Sequence, residues 1–98
     1  MKRPMKILEQ LAEVLRIEKE VVKKEILSAH EIARKLNLPS WCVTIDSGWE
    51  EGYVVEVTVK CRNIYAVAII GYSNPIEFLE DTKFIDKAVS KLSAKILK

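Results

Sequence analysis

The chain has 98 residues with 49% apolar and 31% charged residues. That suits one folded domain, 1–98, with one core, and excludes a disordered chain. Its net charge of +2 hides an asymmetry. Residues 1–40 hold nine Lys/Arg and six Glu, residues 41–82 two and seven Asp/Glu, and residues 83–98 five Lys and one Asp. The ends are therefore basic and the middle acidic, a split that suits an anionic ligand or the packing of one copy on another. No apolar run approaches the ~20 residues of a membrane span. The basic start Met1-Lys2-Arg3-Pro4-Met5-Lys6 is interrupted by Glu9 and Glu13 and does not read as a signal peptide. Cys42 and Cys61 lack metal-ligand spacing, so reduced thiols and a cytoplasmic setting are expected. Abundant Lys, Glu and Ile with a single Gln lean toward a thermophilic source.

From about Met5 to Leu38 the pattern is helical. Leu8, Leu11, Leu15, Val22, Ile26, Ala29, Ala33 and Leu36 follow three-and-four spacing, Glu20 and Lys24 form an i,i+4 pair, and Pro39 stops the run. As one piece this helix is about 50 Å long, against a radius of gyration near 13 Å for a compact domain of this size. It must break, near Arg16–Lys19 or Ser28, or overhang its own domain. An overhang would expose Leu8, Leu11 and Leu15 and require another chain to bury them.

Three strands follow, near 41–46, 53–60 and 64–71. The first link is Ser47–Gly52; the second, Arg62-Asn63, has the length of a two-residue hairpin turn. Cys61 then pairs with Ile64, Val59 with Ala66 and Val57 with Ala68. Ile64, Ala66, Ala68 and Ile70 face the core, together with Trp41 and Tyr53. The other face carries Tyr65, Val67 and Ile69 beside Val54, Thr58 and Thr44. The third strand is thus apolar on both sides, so its outer face is expected to be covered. Asn74-Pro75-Ile76-Glu77 opens a final helical segment with a cap, a first-turn proline and an early acid. Phe78, Ile85, Val89, Leu92 and Ile96 form its buried stripe, with a break near Asp81-Thr82. The fold class is α+β, in the order α-β-β-β-α, with a three-stranded antiparallel sheet and helices on one face.

Lys83, Lys87, Lys91 and Lys95 recur every four residues, with Lys98 beyond. Such a row, with ammonium groups about 6 Å apart along the axis, can neutralise successive phosphates; it is equally the solvated, cationic end of a helix. Tyr65, Trp49 and Tyr72 are the free aromatics that could stack on unpaired bases, although Glu50, Glu51 and Glu56 stand close by. Alternatively Val54, Tyr65, Val67 and Ile69 form a subunit interface. His30 is the sole histidine and reads as a surface or helix-packing residue. No nucleophile elbow, phosphate loop or Cys/His ligand set is present. The expectation is a non-enzyme with no metal, no cofactor and no small-molecule substrate.

Leu36, Leu38 and Pro39 before Trp41 and Val43, the run Tyr53–Val59, and Gly71-Tyr72-Ser73 resemble the double-stranded RNA-binding domain over about residues 26–73. Where that family places a lysine cluster, this chain has Asn74-Pro75-Ile76-Glu77, so the resemblance implies a degenerate member serving in protein association. In layout alone the chain also resembles the ThermoDBP-type single-stranded DNA-binding proteins of hyperthermophilic archaea, which implies an aromatic-apolar cleft and a dimerising helix. The leading expectation is a homo-oligomer that binds nucleic acid, single strands before duplex. The alternative is an association module with no nucleic-acid role.

Overall fold

The computed structural model describes residues 3–96, with side chains from Lys6 onward; Lys98 of the lysine row lies outside them. The first helix, α1, is continuous over Arg3–Lys35, so neither candidate break occurs. Asn37 ends it. Its left-handed backbone, φ 58°, lets the amides of Asn37 and Leu38 reach back to the carbonyls of Arg34 and Ala33 at 3.1 and 2.9 Å, the paired bonds of a Schellman stop. Pro39 follows, and the chain turns through a short 3-10 segment, Ser40–Cys42.

Strands β1 (Val43–Trp49), β2 (Tyr53–Cys61) and β3 (Ile64–Tyr72) form an antiparallel sheet in the order β1-β2-β3. The hairpin register is the expected one: Cys61 opposite Ile64, Val59 opposite Ala66, Val57 opposite Ala68. The first link is shorter than the sequence suggests. β1 runs on to Trp49, which pairs with Tyr53, and only Glu50–Gly52 turn, with Glu51 and Gly52 at φ 52° and 123°. Two further expectations fail at the entry to β1. Alternation starts at Val43, after the 3-10 turn, so Trp41 is not a core residue but 82% exposed. Cys42 and Cys61 are not free thiols but a disulfide. Their Cα atoms lie 5.2 Å apart across a separation of 19 residues, a span that disulfide geometry accepts. Closing a loop of that size stabilises by about 3 kcal/mol in the chain-entropy account.

Helices α2 (Pro75–Glu80) and α3 (Phe84–Ile96) complete the chain, broken at Asp81 as the sequence indicates. The Asn74 side chain accepts from the Glu77 amide at 2.9 Å and caps α2. All three helices pack on the sheet face that carries Tyr53, Val55, Val57, Val59, Ala66, Ala68 and Ile70. Phe78, Phe84, Ala88 and Leu92 fill the core against Ile32 and Ala33. The stripe that α1 buries is shifted from the expected one. Val21, Ser28, Ile32 and Ala33 go inside, while Val22 and Ile26 stay exposed. Apolar residues at both 21 and 22 permit two stripes one position apart. The seated one is that which brings Lys24 to α2. Its ammonium donates to the carbonyls of Phe78, Leu79 and Asp81 at 2.5, 3.3 and 2.9 Å, rather than pairing with Glu20, and sits 4.7 Å from the Phe78 ring centre.

The molecule measures 61 × 24 × 21 Å with a radius of gyration of 16.0 Å. The excess over a compact domain of its size lies in α1: residues 6–16 are all exposed, and Ile17 is the first to be half-buried. No helix among the described residues is long and apolar enough to cross a membrane.

Candidate functional site

The open sheet face is divided along its length. At one end Lys60 pairs with Tyr65, and Thr58 with both Val67 and Thr44. At the other Asp46 pairs with Glu56, which in turn stands beside Ile69. Like charges directly opposite disfavour pairing, so the acidic half carries an electrostatic cost and repels anions, whereas the Lys60–Tyr65 end is free of acids. Tyr65 is 70% exposed, and Ile69 is also open. Val54 and Val67 are half-buried on the same face.

Edge strand β3 is flanked by α3. Lys95 donates to the Val67 carbonyl. Lys87 binds the Asp81 carboxylate at 2.9 Å and lies 5.9 Å from the Tyr72 ring centre. Lys83 and Lys91 are exposed. The expected lysine row therefore borders β3 from Tyr72 to Val67, the strand whose outer face carries Tyr65, Val67 and Ile69. One of the four is held by an internal carboxylate. Asp81 accepts from the Tyr72 hydroxyl at 2.7 Å, from Lys87, and from the Lys83 amide at 2.8 Å. Burial opposes its ionisation, but these donors outweigh burial and bring its pKa down to about 2. Tyr72 is pushed the other way, upward, by burial and by its bond to Asp81. It is a buried core residue, not the free aromatic the sequence allows.

Trp49 does not join Tyr65. It lies at the end of β1 on the helix-facing parity, edge-to-face with Tyr53 at 5.4 Å, and 64% exposed. There it lines a groove of about 510 Å³ with Val14, Ile17, Val22, Tyr53 and Pro75. Behind it runs a relay that the sequence does not signal. Tyr53 donates to the Ser47 hydroxyl at 2.9 Å, and Ser47 donates to Glu25 at 2.5 Å. Half-burial of Glu25 raises its pKa, against the Ser47 bond that lowers it. Glu25 and Tyr53, 22 and 6 positions from Ser47, meet it only because α1 crosses β1 and β2 folds back beside it, so spacing could not have found them. His30 is exposed. Among the described residues no group of three or more His, Cys, Asp or Glu is placed to hold a metal ion.

The residues expected at an oligomer interface fall on two surfaces. Val54, Tyr65, Val67 and Ile69 share the open sheet face; Leu8, Leu11 and Leu15 are exposed on the α1 overhang. Comparison with known protein families, with curated proteins and with solved structures finds no match to this chain.

Proposed function

We propose that the protein is a small non-catalytic homo-oligomer that binds single-stranded nucleic acid along β3. The observation that carries this reading is the juxtaposition of the α3 lysine row with the exposed Tyr65, Val67 and Ile69 of the adjoining edge strand. A strand of nucleic acid laid there meets ammonium groups along its backbone and a stacking surface for its bases. Lys60, directly opposite Tyr65, adds a cation at the acid-free end. Single strands suit the site better than duplex because its apolar and aromatic groups need unpaired bases. A cytoplasmic setting is compatible with the Cys42–Cys61 bond in a hyperthermophile, where intracellular disulfides are common.

The reading is tested by titrating a fluorescent single-stranded oligonucleotide at several salt concentrations. Replacing Lys91 and Lys95 by Gln is expected to weaken binding uniformly across sequences and flatten the log-affinity against log-salt slope by about 0.7 per lost contact. An unchanged slope removes the lysine row from the site. The acidic pair Asp46–Glu56 on the same face favours the second reading, an association module whose open face meets protein. Under that reading the oligonucleotide does not bind at all.

A further inference from the structure

The α1 overhang presents apolar surface with nothing of its own chain beneath it. Ile7, Leu8, Leu11, Val14 and Leu15 are each more than half exposed. They lie on nearly the same side of the helix that, further along, buries Ile32 and Ala33 against the sheet; the sheet ends and the apolar side continues. Because α1 is one unbroken helix from Arg3, Ile7, Leu8 and Leu11 cannot fold back onto the groove at its base. That groove begins at Val14 and is walled further by Ile17, Val22, Trp49 and Pro75, with Glu18 and Glu25 in its lining. The outer end of the same helix has the opposite charge: Lys6, with Lys2 and Arg3 before it in sequence, and no acid until Glu9.

We infer that a second copy of the chain fills this groove through an antiparallel overlap of the two α1 overhangs. The outer turns of each copy seat Ile7, Leu8 and Leu11 in the groove of the other and bring Lys6 to the acidic rim at Glu18. Three features select a second copy as the occupant. The groove is apolar and open where the overhang is apolar and uncovered. Its rim is acidic where the overhang's tip is basic, so each copy is complementary to itself under a two-fold axis. Ile7, Leu8, Leu11, Val14, Leu15, Val22 and Trp49 are each more than half exposed, a contiguous apolar surface of the kind that association covers. A parallel pairing would instead set Lys6 beside Lys6 and leave the groove open. This inference specifies the association that the proposed function includes, and it leaves the β3 surface free for nucleic acid.

The full chain at micromolar concentration is expected to sediment at twice its 11.2 kDa mass. Leu11→Glu, at an exposed position outside the core, should give a monomer with unchanged circular dichroism and a melting temperature that no longer depends on protein concentration. Lys6→Glu and Glu18→Lys should each weaken the dimer by about fivefold or more, and the two together should restore it to within about twofold, as compensating charges across an interface do. A wild-type monomer overturns the inference, as does a dimer indifferent to Leu11→Glu or a charge swap without restoration. A dimer that survives Leu11→Glu would place association on another surface and leave the nucleic-acid reading standing, since that is read separately by oligonucleotide titration.

Discussion

Asp81 shows how much a single half-buried carboxylate can organise. It receives the Tyr72 hydroxyl, the Lys87 ammonium and the Lys83 amide, joining the end of β3 to the start of α3. Its folded pKa of about 2 lies below the ordinary 3.8. A depressed carboxylate contributes stability in full above its unfolded value and loses it as pH falls through the folded one. The contribution is on the order of 2 kcal/mol. Stability measured by urea unfolding should therefore decline between about pH 4 and pH 2, and Asp81→Asn should remove most of that decline while lowering stability at pH 7. A wild-type profile flat to pH 2 would contradict this role. None of it was legible in the sequence, where Asp81 marks only a break in the last helical segment. The donors come from residues up to nine positions away and meet only once β3 and α3 are packed.

At the scale of elements, local chemistry was readable and choices between near-equal packings were not. Arg62-Asn63 has room for one hairpin, so the β2–β3 register and the two-sided apolar character of β3 follow from it. Asn74 and Pro75 mark the start of α2 in the same way. The stripe of α1 was ambiguous because Val21 and Val22 are both apolar, and the decision rests on Lys24, which reads as a surface cation. Its ammonium lies over the Phe78 ring and closes the carbonyl end of α2, the terminus where a helix dipole favours a cation. Lys24→Ala leaves those carbonyls without their donor. The expected loss is about 2 kcal/mol, in the range for hydrogen bonds to charged groups, or roughly 10 °C in melting temperature for a domain of this size. Thermal unfolding checks it; a change under about 2 °C would show that water replaces the ammonium at no cost. The disulfide was hidden for a related reason. Counted as strand positions, Cys42 and Cys61 fall on opposite faces of the sheet, and only the 3-10 turn before β1 brings them together.

The whole molecule is a small helix-on-sheet domain with two uncovered surfaces on opposite sides. Length alone left the overhang as one of two outcomes, because a 33-residue helical run must either break or outrun a compact domain of this size; the apolar stripe weakens at Arg16–Lys19 without breaking the helix. The open face was legible from the composition of β3. What spacing could not supply was their separation: Trp49 belongs with the helix groove and Tyr65 with the open face, so two aromatics that read as one site serve two surfaces. This separation makes the account testable by one side chain. Tyr65 lies outside the core and is 70% exposed. The most direct measurement is the affinity of a single-stranded oligonucleotide for the wild type and for Tyr65→Ala, with sedimentation of both proteins under the same conditions. The account predicts a loss of ~1–3 kcal/mol in binding with an unchanged oligomer mass. Equal affinities, or an oligomer that dissociates when Tyr65 is removed, would contradict it.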